Sequence, residues 1–159
     1  MMTKQSKSIL ALDLGSQLGW AVRLHSGPMT SGSVSFKPGR FEGAGMGFLR
    51  FRHWLDEINT TAGGLEALYF EEVRAHAGTL AAQVYGGFLG HLTAWCEANS
   101  VPYLGVPVAT IKKFATGKGN ADKQAVIAAI KSKGFHPQDD NEADALALLL
   151  WANSQKGGK

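Results

Sequence analysis

Three carboxylate positions in this chain stand where apolar side chains would be expected. Asp13 closes the run Ile9-Leu10-Ala11-Leu12, Glu71 and Glu72 follow Leu68-Tyr69-Phe70, and Asp144 lies inside Ala143-Asp144-Ala145-Leu146-Ala147-Leu148. A free charge in such company is prohibitively costly, so each must be paired or hold a metal. Three acidic groups in three distant apolar segments suggest one divalent-metal site assembled from remote parts of the chain. Asp140 lies four residues before Asp144, one helical turn away on the same face, where like charges repel unless a cation bridges them. Oxygen-only ligation, with no histidine or cysteine cluster, points to Mg²⁺ or Mn²⁺ rather than zinc. Two such ions roughly 4 Å apart could activate water and stabilise the leaving oxygen of a phosphodiester. Other roles stay open at this level. Asp13 could bond the turn at Gly15-Ser16, Asp139, Asp140 or Asn141 could be helix N-caps, and the residues alone barely choose between Glu71 and Glu72.

The elements that must position these groups follow from hydrophobic periodicity and turn residues. Strands are expected at 8–13, 18–24 and 30–36, joined by short turns into an antiparallel meander. A helix follows over 45–59 on the stripe Phe48, Phe51, Leu55 and Ile58, ended by Gly63-Gly64. A strand over 67–73, a long helix over 77–97, a strand over 101–106 and two closing helices, 120–133 and 141–152, complete the order β-β-β-α-β-α-β-α-α. This order predicts an α/β fold: a mixed five-stranded sheet, an antiparallel meander followed by parallel strands, with helices on both faces. If the strands ending in Asp13 and Glu71 are neighbours, their polar ends meet at one edge, and the last helix can bring Asp144 there. Gly86, Gly87 and Gly90 in the long helix each cost about 1 kcal/mol relative to alanine, which suggests close approach of another backbone, such as a second subunit.

The chain of 159 residues reads as a single domain over 1–159, with short basic tails at 1–7 and 153–159. Cys96, the one cysteine, excludes an intramolecular disulfide and fits a reducing compartment, where it is a small buried hydrophobe. The polar start leads into an apolar run too short for a signal h-region or a membrane span, which predicts a cytoplasmic protein with no membrane partner. The net charge of +3 is modest, but it is unevenly spread: Lys112 to Lys133 carries six lysines against one acid, Asp122. A basic stretch around an acidic centre is what a nuclease needs, lysines for phosphate and carboxylates for metal. Thr116-Gly117-Lys118-Gly119-Asn120-Ala121-Asp122-Lys123 is a glycine-rich loop entering a helix, with Asn120 as expected N-cap. It makes a candidate phosphate cradle with Lys112, Lys113, Lys118 and Lys123. The Walker spacing is absent, so nucleotide hydrolysis of that type is unsupported. The five histidines show no metal spacing. His91 reads as an interior or interface residue, whereas Arg74 and His76 directly follow the Glu71 strand and could reach bound nucleic acid.

Together these segments resemble the RuvC-type Holliday-junction resolvases of the RNase H-like superfamily, particularly small phage- or prophage-associated members, from Ile9 to about Trp151. Ile9-Leu10-Ala11-Leu12-Asp13-Leu14-Gly15-Ser16 looks like the family's first strand. Phe70-Glu71-Glu72-Val73 is similar to its "IEQV"-like strand end, which selects Glu71 over Glu72, and Glu142-Ala143-Asp144-Ala145-Leu146-Ala147 looks like its terminal "ADALA" helix. The resemblance implies an RNase H-like fold and a Mg²⁺-dependent endonuclease acting on four-way junctions and other branched DNA in recombination, repair or genome processing. It implies metal ligands Asp13, Glu71 and Asp144, with Asp140 as the expected fourth, two Mg²⁺ ions that Mn²⁺ could replace, and products with 5′-phosphate and 3′-hydroxyl ends. Lys112 and Lys123 fall where the family's DNA- and catalysis-linked lysines occur. A homodimer follows from the need for paired nicks, placed here on the glycine-bearing helix 77–97. Two departures stand out. The family's aspartate three residues before the last ligand is replaced by Asn141, with Asp140 adjacent, and its aromatic wedge shortly after the glutamate is replaced by Arg74.

Other readings stay in view. An RNase H-like enzyme could act on flaps, forks or other branched nucleic acid, and a non-catalytic module could bind junctions without cutting. Asp13-Leu14-Gly15-Ser16 also resembles the first phosphate loop of the actin/sugar-kinase superfamily, but that class needs two such domains and this chain is too short for them.

Overall fold

The computed structural model describes residues 8–156, so the expected tails at 1–7 and 157–159 lie outside the described residues. Ten elements follow one another: strands β1 (Ser8–Asp13), β2 (Gln17–Arg23) and β3 (Met29–Ser35), helix α1 (Gly45–Thr61), strand β4 (Leu65–Glu72), helix α2 (Thr79–Ala98), strand β5 (Tyr103–Pro107), and helices α3 (Val108–Thr116), α4 (Lys123–Ser132) and α5 (Asp140–Lys156). The sheet order is β3-β2-β1-β4-β5. The meander pairs antiparallel, whereas β1–β4 and β4–β5 are parallel. The expected mixed five-stranded sheet with helices on both faces is thus the observed architecture.

Side-chain alternation divides the core into two layers. Leu10, Leu12, Leu68 and Phe70 point to the face covered by α1 and α2, in a cluster with Phe36, Phe51, Phe88 and Trp95. Ile9, Ala11 and Ala21 point to the other face, against α3, α4 and α5. Continuing that alternation puts Asp13 and Glu71 on the α5 face. Tyr69, two residues before Glu71, meets Trp151 of α5 edge-on with ring centroids 6.2 Å apart. Glu72 falls on the opposite face and pairs with Arg74 at 3.3 Å. The choice left open by the residues alone is therefore made by strand parity.

From Ala143 to Ala152 helix α5 is apolar nearly all round apart from Asp144, as a helix sandwiched between a sheet and other helices must be. Ala143, Ala145, Ala147, Leu149 and Ala152 are fully buried. It lies directly on β2 because Gly19 has no side chain: a Cβ there would sit 1.9 Å from the Asn141 carbonyl oxygen. Its start is fixed by Asp139, whose Oδ1 accepts from the Glu142 N–H at 2.8 Å. Glu142, itself buried, accepts from the Gln138 N–H at 2.8 Å and from the Ser31 hydroxyl at 2.6 Å, locking the helix entry to β3. This reciprocal capping answers the question of which acid is the cap; Asp139 takes it and Asp140 does not.

Three expectations are corrected. Residues 108–116, to which the sequence pattern assigns no helix, form α3, which begins after Pro107 and ends where Gly117 adopts the left-handed conformation, φ 89°. The N-cap of α4 is Asp122, accepting from Ala125 N–H at 2.8 Å, not Asn120. A carboxylate thus occupies the helix start where a phosphate cradle was expected. Finally, α5 extends to Lys156, so 153–156 belongs to a helix rather than to a tail. Among the glycines of α2, only Gly87 is approached closely, and by a side chain of the same protomer: an added Cβ would lie 2.4 Å from the Phe48 ring, while Gly86 and Gly90 face open space. Phe48 also stacks on the half-buried His91, ring centroids 5.1 Å apart. Cys96 is buried, and burial pushes its thiol up to about 12. Among the described residues, no helix is long and apolar enough to cross a membrane.

Candidate metal centre

Parallel pairing of β1 and β4 brings their C-terminal ends side by side, and α5 crosses them there. Asp13, Glu71 and Asp144 meet at that point, each offering a carboxylate oxygen within 4.8 Å of the others. All three are half-buried. Desolvation is the largest influence on each. It holds Asp13 well above the usual carboxylate range, reinforced by the charges of Glu71 and Asp144. It also raises Glu71 and pushes Asp144 up to about 7, reinforced by Glu71. With no cation bound, burial and mutual repulsion therefore favour proton retention within the cluster.

Three clustered oxygen donors whose carboxyls are raised by burial and mutual repulsion fit a hard divalent cation, which would supply positive charge among them. A stability consequence follows with a definite sign. These carboxyls bind protons more tightly folded than unfolded, so their protonated forms favour the fold. The metal-free protein is expected to lose stability as pH rises from about 4, the unfolded value, through about 7 for Asp144. Millimolar Mg²⁺ or Mn²⁺ should restore stability at pH 7.5–8 by mass action. Melting curves across pH with EDTA or metal would test this, and a flat EDTA profile would contradict it.

The lysines divide. Lys112, placed by α3, is half-buried and its charge offsets the rise at both Glu71 and Asp144, so it faces the centre. Lys123, the first residue of α4, pairs with Asp140 at 3.2 Å and is raised by that bond. Asp140 is thus near Asp144, adding to its rise, but it is outside the three-carboxylate cluster and engaged by Lys123. Lys113 and Lys118 are exposed, and among the described residues neither forms an ion pair with the three carboxylates. Arg74 is exposed and lines a cleft of about 550 Å³ that opens from Glu71 between β4 and the start of α3, walled by Val73, Pro107 and Val108. Tyr85 of α2 was not foreseen from sequence. Its hydroxyl donates to the Glu71 carbonyl at 2.9 Å and accepts from the Val73 N–H at 3.2 Å, bracing the strand end that carries Glu71.

Comparison with solved structures matches this arrangement over nearly the whole chain. Thermus thermophilus RuvC in complex with a Holliday-junction substrate superposes with a TM-score of 0.75 at 22% identity, covering 95% of this chain and 96% of that one. The fold is that of RuvC. A second T. thermophilus RuvC structure gives 0.73 at 22% identity over 94% and 96% of the two chains. The RuvC fold also relates the chain to Ydc2, the yeast mitochondrial Holliday-junction resolvase, with a TM-score of 0.63 and 11% identity over 99% of this chain and 83% of that one. No family model matches the sequence, and no curated protein matches it either.

Proposed function

We propose that the protein is a divalent-metal-dependent endonuclease that resolves four-way DNA junctions by paired nicks. The observation that carries this reading is the Asp13–Glu71–Asp144 cluster at the ends of adjacent parallel strands in a RuvC fold. Support for branched DNA as the substrate comes from the junction bound to the T. thermophilus neighbour. Asp13, Glu71 and Asp144 would hold Mg²⁺, with Asp140 joining once Lys123 releases it. When bound, a pair of such ions would activate a water and stabilise the leaving 3′-oxygen, giving 5′-phosphate and 3′-hydroxyl ends. The chain's own groups do the rest. Lys112 faces the carboxylates and would offset charge gathering on the scissile phosphate. Lys123, freed from Asp140, would bind the same phosphate, while Lys113, Lys118 and Arg74 would track the backbone on either side.

Two symmetric nicks call for a C2 homodimer. The exposed face of α2, with Leu80, Gly86 and Gly90 open to solvent, is the surface this reading assigns to it. A cytoplasmic location belongs to the same proposal.

The test is nicking of a labelled immobile four-way junction in Mg²⁺, alongside a flap, a fork and a linear duplex. Paired symmetric nicks confined to the junction are expected. Cutting of flaps or forks in preference would move the protein to the broader RNase H-like reading. Junction binding that persists in EDTA without cutting in Mg²⁺ or Mn²⁺ would make it a binding module.

A further inference from the structure

Phe41 is 94% exposed, the largest exposure among the big apolar side chains described. Single exposed apolar residues are common and need no purpose. What sets this one apart is how firmly its loop, residues 36–44 between β3 and α1, is built. At its root Phe36 is buried in the aromatic cluster, 5.6 Å from Phe51 and 6.2 Å from Phe88 by ring centroid. At its exit Gly47 lies so close to the Phe36 carbonyl that a Cβ would come within 2.4 Å. Across the middle, Glu42 accepts from the Gly39 N–H at 2.6 Å and takes both guanidinium nitrogens of Arg50, one of them at 2.9 Å. The loop is thus pinned at its base, waist and exit, with one aromatic ring held out in water.

Its charge and position are equally specific. Arg40 lies over the Phe41 ring, 5.4 Å from the centroid, and Lys37 is exposed at the loop's start. Glu42 is neutralised by Arg50, so the tip presents cations and an aromatic face. β3 runs in the same direction as β1, being antiparallel to β2 as β1 is. The loop therefore leaves the sheet at the end where the carboxylates cluster. Phe36 N–H donates to the Ser16 carbonyl at 2.7 Å, in the turn three residues beyond Asp13. Five residues of chain carry Phe41 at most about 18 Å from that anchor, well inside one turn of a duplex, about 34 Å.

We propose that the Lys37–Ala44 loop is a DNA contact in which Phe41 stacks on an unpaired base beside the carboxylate centre, with Arg40 and Lys37 on the flanking phosphates. An aromatic face backed by cations fits a nucleobase and its phosphates, and every base offers a stacking face. This rests on the reading of the protein as a nuclease of branched DNA, since an unpaired base near the cut is what a branch point supplies.

The experiment compares wild type, Phe41→Ala and Phe41→Trp in Ca²⁺, using a four-way junction with 2-aminopurine at the branch point, a dT oligonucleotide and a linear duplex. Phe41→Ala is expected to weaken junction and dT binding about 10-fold, to lose the 2-aminopurine response and to leave duplex binding and the melting curve unchanged. Phe41→Trp should retain affinity, with its indole emission quenched by DNA. Equal junction and dT binding by wild type and Phe41→Ala would overturn the inference, even for a protein that cuts junctions. Dimerisation lost in Phe41→Ala with DNA affinity intact would also overturn it, assigning the ring to a second copy. A protein that cuts no junction, yet binds dT through Phe41, would uphold the loop's role while refuting the resolvase reading.

Discussion

Asp13→Asn is expected to abolish metal-dependent cleavage, by about 10³-fold or more, while making the metal-free protein more stable. The two effects have one cause. Asp13 sits against Glu71 and Asp144 in a desolvated corner, where ionising all three carboxylates is costly without a cation. The amide keeps the shape and the hydrogen-bonding capacity but removes the charge. A shift of one pKa unit corresponds to about 1.4 kcal/mol, and Asp144 alone is displaced from 3.8 to about 7. Relief of even part of that strain at pH 8 should be worth about 2 kcal/mol, a rise of about 4–8 °C in melting temperature for a domain of this size. The same substitution should erase the stabilisation that Mg²⁺ gives the wild type. Melting scans in EDTA and in Mg²⁺ read all of this without reference to activity. An Asp13→Asn protein that melts with wild type in EDTA would mean that the carboxylates do not repel as described.

Gly19→Ala should be nearly as damaging to activity, although Gly19 carries no chemistry. It pairs with Asp13 across the β1–β2 ladder, and the first turn of α5 rests on it with the Asn141 carbonyl where a methyl would go. Both the carbonyl and the glycine are backbone, so neither can rotate away. Helix α5 must lift, and Asp144, one turn along, lifts from Asp13. Overpacking of this kind costs about 1–3 kcal/mol, and a misplacement of about 1 Å at a reacting centre can cost 10²-fold in rate. Gly45→Ala is the control, because an added Cβ there meets nothing. At a temperature where both variants are folded, Gly19→Ala should show a reduced Mg²⁺-induced rise in melting temperature and about 10²-fold slower nicking. Wild-type metal response in Gly19→Ala would show that α5 does not need this contact to seat its aspartate.

Much of this centre could be read from the chain because burial makes acidic residues conspicuous. Asp13 and Asp144 announce themselves among leucines and alanines, and the strand order follows from turn residues and alternation. Glu71 against Glu72 was harder. The parity that decides it is local, but which parity faces α5 is a tertiary fact, visible only once Tyr69 meets Trp151. Helix α3 escaped because nine residues are too few for an apolar stripe to stand out on periodicity alone. Its signals were present in Pro107, the spacing of Val108, Ile111 and Ala115, and Gly117 as terminator. The pairing of Asp140 with Lys123 and the bracing of Glu71 by Tyr85 depend on side chains brought together from separate helices and strands, and no sequence spacing encodes them.

The three carboxylates come from positions 13, 71 and 144, and the last arrives on a helix that is buried against both the sheet and α3 and α4. During synthesis the sheet's first strands can form long before α5 has emerged. Until that helix docks, Asp13 and Glu71 face one another without a third donor, and the carboxylate cluster is incomplete. The complete cluster thus appears late and all at once, as a report that the opposite ends of the fold have met. For a nuclease of the kind proposed, that order would arm the site only at the final step of folding, without any separate inhibitor.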